Sequence, residues 1–200
     1  MKKLLFFSLA LAPFMSACNS NSSETKTETT TDTVSTMPVD TMATTTPSTS
    51  ALTDPQIASI AVTANQIDVD NGKIALKKSS NADVKKFAQT MINDHTAIIK
   101  QATDLATKLN VTPETNPTTQ SLLDNAKMVA DSLNNKSGAD FDKYYAQSEV
   151  NYHQQVIDAV KNTLIPNTQN AELKSLLQSV VPNLEHHLEM AKELSSKLNK

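Results

Sequence analysis

Arginine is missing from this 200-residue chain, whose 18 basic side chains are all lysine. Tryptophan is missing too, and there is one cysteine and there are two glycines. A lone cysteine excludes an internal disulfide and any Cys-based zinc or iron–sulfur cluster within one chain. Two glycines cannot build a phosphate-cradling loop, a dinucleotide fingerprint or a set of tight hairpins. A net charge of -3 without a single guanidinium argues against nucleic acid as a partner, since Arg forks usually carry phosphate and guanine contacts. No Gly-x-Ser-x-Gly elbow exists for a serine hydrolase, and no carboxylate pair stands out from the scattered acids for glycoside hydrolysis. The sequence therefore offers no catalytic constellation, and an enzyme is the less favoured reading.

What is present begins with an address. Lys2 and Lys3 precede a mostly apolar run from Leu4 to Met15, and Ser16-Ala17-Cys18 closes it. That run is too short to span a bilayer core of ~30 Å, which makes residues 1–17 a signal peptide rather than an anchor. The ending Met-Ser-Ala-Cys resembles a bacterial lipobox, with Met15 an unusual residue at its first position. Cys18 is then the lipidation site, carrying a diacylglycerol thioether and an acylated amino terminus. Several acyl chains anchor stably, because each buried methylene contributes ~0.8 kcal/mol and one chain alone is marginal. The expected location is the bacterial cell envelope, lipid-anchored in the outer membrane, facing the periplasm or the surface. An ordinary cleaved signal with an incidental cysteine is the plainer alternative.

Residues 18–52 form the next unit. Thr and Ser dominate, Pro38 and Pro47 interrupt, and Glu24, Glu28, Asp32 and Asp40 outnumber Lys26. Too few apolar residues are present to offset the ordering entropy, so a disordered tether is expected. As a flexible coil of about 33 residues it would hold its cargo ~30 Å from the membrane on average, and ~110 Å when stretched. Asp32-Thr33-Val34 and Asp40-Thr41-Met42 resemble an Asp-Thr-apolar O-glycosylation acceptor, which makes Thr33 and Thr41 candidate glycan sites.

Residues 53–200 read as helices, with apolar residues recurring at three and four. Thr53-Asp54-Pro55 starts the first, with Ile57, Ile60, Ala61, Ala64, Ile67 or Asp68, Asn71 and Ala75 inward. Asn81 caps the second, whose stripe runs from Val84 through Met91, His95 and Ile98 to Leu109, ~40 Å of helix. A third spans about 118–133, and a fourth about 140–164, stopped by Pro166. The fifth spans about 169–199, and Pro182 predicts a kink or break in it. Short connections between long helices favour antiparallel neighbours. The fold class is all-α, an antiparallel bundle of four to five helices.

Three of the four histidines lie on inward faces. His95 sits among Met91, Ile92, Ile98 and Ile99; His153 among Val150, Val156 and Val160; His187 between Leu184 and Ala191. His186 points elsewhere and reads as a surface residue. Each inward histidine, taken alone, reads most simply as a core residue bonded to a neighbour such as Asp94, Glu149, Tyr144, Tyr145 or Tyr152. Together with Asp68 and Glu149, they also form a candidate metal set: Asp68, His95, Glu149, His153 and His187. Helix bundles build such sites from facing helices. The set is imidazole-rich, which suits zinc, copper or nickel better than a pair of irons; iron and manganese complete the possible metals. Glu149 and His153 are four apart, one residue longer than the Glu-x-x-His of di-iron bundles.

The run Asp68-Val69-Asp70-Asn71-Gly72-Lys73-Ile74-Ala75, then Val84-Lys85-Lys86-Phe87-Ala88 and Met91-Ile92-x-Asp94-His95, resembles the bacterial family known as domain of unknown function 4142. Phe141-Asp142-x-x-Tyr145, Glu149, His153 and Val181-Pro182-x-Leu184-x-x-His187-Leu188-x-x-Ala191 continue the resemblance, which covers about residues 55–195. It implies a ferritin-like helical bundle, exported and often lipid-anchored, with no settled activity. Where the family typically has Glu in the first helix, this chain has the shorter Asp68.

Two functional expectations stand side by side. One is an envelope lipoprotein whose bundle binds another envelope protein or a small ligand, or protects against stress. The other is a metal-binding or metal-dependent redox protein.

Overall fold

A computed structural model describes residues 51–200. The expected signal peptide, Cys18, Thr33, Thr41 and nearly all of the tether lie outside the described residues. Five long stretches of helix account for most of the rest, and among the described residues no strand occurs.

Helix α1 (Asp54–Lys78) opens with a capping box, in which Thr53 and Gln56 satisfy each other's backbone N–H, and with Pro55 in its first turn. Helix α2 (Ala82–Lys108) is capped by the Asn81 side chain, which accepts from the N–H groups of Asp83 and Val84. Asn116 and Asn170 cap α3 (Pro117–Asn134) and α6 (Ala171–Leu198) in the same way. Between them α4 (Gly138–Ala159) continues into a π-helical turn at Val160–Leu164 and a last short helix, α5 (Ile165–Asn167).

That π turn explains why Pro166 does not stop the helix where expected. The Ile165 N–H bonds to the Val160 carbonyl, five residues back, and the widened turn carries the chain through the proline to Asn167. Pro182 likewise fails to break α6, which is continuous from Ala171 to Leu198. Its ring is exposed, so the carbonyl deprived of a partner lies on the solvent side, where water can serve it.

α1, α2, α6 and α4 form an up-and-down four-helix frame in that spatial order. The Asp54 carboxylate accepts from the N–H groups of Gln169 and Asn170, both at 2.9 Å, which places the starts of α1 and α6 at one end. Lys108 at the end of α2 pairs there with Glu172. α2 and α4 run the same way, so a crossover must return the chain between them, and α3 is that crossover. It lies along the outside of α1, held by Ser59 Oγ to Thr119 Oγ1 at 3.4 Å and by Lys78 donating to the Leu133 carbonyl at 2.8 Å. A bundle with one long crossover is the ferritin-like arrangement. Gly72 allows α1 and α2 to approach closely: a Cβ there would lie 2.9 Å from Ile92 Cγ1 and 3.1 Å from the Ala88 carbonyl oxygen.

The core divides into two clusters along the frame. Phe87, Met91, Phe141, Tyr145 and Leu194 belong to one, and Ile57, Ile157, Leu164, Leu177 and Leu188 to the other. Between them lies a band of polar side chains.

Candidate metal centre

Four helices contribute that band. Asp68 comes from α1, His95 from α2, Glu149 and His153 from α4, and His187 from α6. Each occupies a position where helical periodicity would put a hydrophobic residue, and each is buried, none more than 2% exposed. The three imidazoles form a near-equilateral triangle, with ring centroids 5.1, 5.5 and 5.6 Å apart. One ligand atom from each of His95, His153 and His187 lies within 4.8 Å of the others, and the same holds for Asp68, Glu149 and His153. All five residues singled out in the sequence are thus brought together through the shared His153. His186 is exposed and lies outside the cluster, although its ring centroid is 6.5 Å from that of His187.

Hydrogen bonds fix the tautomer of each ring. Asn65 donates its amide to the Ala61 carbonyl at 2.7 Å, which turns its oxygen towards His95 Nδ1, 2.7 Å away. His95 Nδ1 must therefore carry the proton. His153 Nδ1 donates to the Glu149 carbonyl at 3.0 Å, and His187 Nε2 donates to the Asp94 carboxylate at 2.9 Å. Every ring spends one nitrogen on an acceptor. Its other nitrogen, His95 Nε2, His153 Nε2 or His187 Nδ1, is buried with no hydrogen-bond partner. Three buried, unpartnered lone pairs are costly unless something binds them.

The charge state agrees with this picture. Burial holds all three imidazoles below the ordinary histidine range, reinforced for His95 by the neighbouring His187, and His95 falls to about 3. They are neutral at pH 7, as a metal ligand must be. Burial pushes Asp68 up against the opposing pull of His153, and burial together with the Asp68 charge pushes Glu149 well up. Asp68 Oδ1, Glu149 Oε2 and the Tyr145 hydroxyl are also buried without partners. Asp68 Oδ2 stands 3.5 Å from His95 Nε2, too long for a firm hydrogen bond.

Sequence reasoning did not single out Asn65, which lies one turn before Asp68 on the otherwise apolar inward row of α1. That placement was the available signal. Asp94 was foreseen as a histidine partner, and it serves His187, the histidine of α6 rather than its sequence neighbour His95.

The fold and the polar band define a class: a ferritin-like bundle with a buried histidine–carboxylate cluster at mid-height. Residues 39–194 match the family profile described as domain of unknown function (DUF4142), and the chain belongs to that family. No curated protein matches it. Among solved structures the chain is similar to CopM in its Cu(I)-bound form, at 19% identity and a TM-score of 0.59, covering 73% of this chain and 97% of that one. It is similar also to the Ag-bound form from co-crystallisation, at 20% identity and a TM-score of 0.57, covering 73% and 97%. Similarity extends to the apo form at 19% identity and a TM-score of 0.56, covering 73% and 98%. At such identities the likeness is one of fold.

Proposed function

We propose that this protein binds a copper ion between His95, His153 and His187, and that it does so tethered to the cell envelope through Cys18. The observation that carries the reading is the set of three neutral imidazoles, each with one nitrogen anchored and the other buried and unpartnered. Metal-ligating histidines characteristically donate their second N–H to a carboxylate, amide or carbonyl, as these three do. A shell at ~2.0 Å from the metal needs its nitrogens about 3.4 Å apart, so the rings, with one ligand atom each now within 4.8 Å of the others, would have to draw closer around the ion. Imidazole sites take copper most tightly among the divalent first-row metals. Solved structures sharing the fold include copper- and silver-bound forms of CopM, which lends support to that choice. Asp68 and Glu149 lie beside the triangle as buried acids able to hold or release a proton as the charge of the site changes. The anchor rests on the Lys2-Lys3 start and the Met15-Ser16-Ala17-Cys18 ending. A lipid-anchored bundle of this kind would sequester copper at the envelope, a protective rather than catalytic role.

Elemental analysis after loading untagged protein with Cu(I), Cu(II) and Zn(II), each in competition with a chelator, tests the site. One copper per chain is expected, lost in His187→Gln with the helical circular dichroism retained. Copper that fails to bind, or that binds His187→Gln unchanged, overturns the reading. Labelling with a palmitate analogue tests the anchor separately: label must disappear in Cys18→Ala.

A further inference from the structure

On the α1-start side of the polar band the frame is hollow. A cavity of about 460 Å³ lies among α1, α2, α4 and α6, with Leu122 of α3 at its side. Its wall follows α1 from Asp54 to Asp68 and α2 from Leu109 back to His95, a length of ~20 Å at the helical rise. Aliphatic side chains make up most of it, among them Ile98, Ala102, Leu105, Leu177 and Leu184. The stripe on α2 records the void: Val84 to Ile98 includes six buried residues, whereas Ala102, Leu105, Ala106 and Leu109 are only half-buried. No lysine lines the cavity, whose carboxylates are Asp54 at one end and Asp68 at the other. At the inner end Asp68 Oδ1 and His95 Nε2 are buried and unpartnered, on side chains 2% and 1% exposed.

We propose that this cavity binds a neutral, single-chain hydrocarbon bearing a hydroxyl head, with the chain along the bundle axis and the head at Asp68. Pockets of this volume and apolarity enclose small molecules. The elongated form suits one extended chain lying along it. A fatty acid or phosphorylated lipid is disfavoured, because no cation meets its head while a carboxyl group stands at either end. A hydroxyl satisfies Asp68 whichever protonation state the acid holds, since it both donates and accepts. The site adjoins the proposed copper site and shares His95 with it as a wall residue, but its head-binding group, Asp68, is outside the three-imidazole set.

The test is binding of the neutral fluorophore N-phenyl-1-naphthylamine to the full chain, stripped of metal by chelation. Saturable binding of one probe per chain is expected, with dodecanol displacing it at lower concentration than dodecanoate. Ala102→Phe and Ala106→Phe, which fill the cavity, are expected to weaken the probe at least about tenfold while the helical circular dichroism persists. Asp68→Leu is expected to weaken dodecanol but not the probe, which lacks a hydroxyl. Non-saturable probe uptake, dodecanoate displacing as well as dodecanol, or fillers without effect would each overturn the proposal. The stripped protein carries no metal, so failure here leaves the copper reading intact. Copper retained by Ala102→Phe would show the two sites separately.

Discussion

The same four helices build both halves of the bundle, yet one half is filled and the other is not. Around Phe87, Phe141 and Tyr145 the side chains close on one another, with the Phe87 and Tyr145 rings edge to face at 6.0 Å and Phe141 stacked on Tyr145 at 6.3 Å. Beyond the histidines the facing residues are Ile, Leu, Val and Ala, with no Phe in that cluster, and a cavity remains between them. Aromatic rings fill an inter-helix space that aliphatic side chains of similar spacing leave open. The polar band lies at the boundary, with a rigid wall on one side and accessible volume on the other. A site that must hold its ligands in place and still be reached benefits from both.

The comparison is broken most sharply by truncating the filled half. Phe87→Ala is expected to cost about 3–5 kcal/mol in urea unfolding, since Phe87 is 3% exposed and its neighbours cannot collapse onto the gap. A matched pair on α2 comes next. Ala88→Leu, at a fully buried position whose carbonyl lies against Gly72, should lose about 3 kcal/mol, whereas Ala102→Leu at the cavity should stay within about 0.5 kcal/mol. Equal losses at the two positions would mean that the second half is not hollow.

Most of the helical framework could be read from the sequence, and the reason is local. Thr53 and Asn81 are start signals that act within one turn, and the spacing of Val84, Phe87, Met91, His95 and Ile98 fixes a face. Convergence of Asp68, His95, Glu149, His153 and His187 was foreseeable because each interrupts an apolar row. The pairing of Asp94 with His187 was not, because it depends on which helices become neighbours and at what height. The cavity left no mark either: Ala102, Leu105 and Leu109 continue the stripe in the same register whether they face side chains or empty space. Pro166 misled for a physical reason, since a π turn absorbs its missing hydrogen bond, and at Pro182 solvent exposure spares α6 a break.

Acid sharpens the contrast between the band and its surroundings. An unfolded chain binds a proton at position 95 below pH about 6.5, whereas in the folded metal-free protein His95 stays neutral to about 3. Stability present above pH 6.5 is therefore lost as pH falls, by about 2 kcal/mol at pH 5 from this residue. Asp68 and Glu149, raised by burial, act in the opposite sense. The difference in pH dependence between the parent and His95→Gln isolates the histidine, and the variant should lose less stability between pH 7 and 5. The smallest expected effect is on the proposed copper site. Asp94→Ala removes the acceptor that orients His187 and should weaken copper about tenfold without abolishing it.

The crossover helix carries a consequence in time rather than in space. α3 contributes only Thr119 and Leu133 to the buried residues, while Leu123 and Met128 stand 47% and 61% exposed. A segment so lightly held opens at a lower free energy than the frame it lies on, and its amides exchange with solvent hydrogen before those of α1 or α2. Each such opening lifts Leu122 from the cavity wall while the four-helix frame stays closed. An occupant of the cavity would then gain a further way out past Leu122 whenever α3 opens.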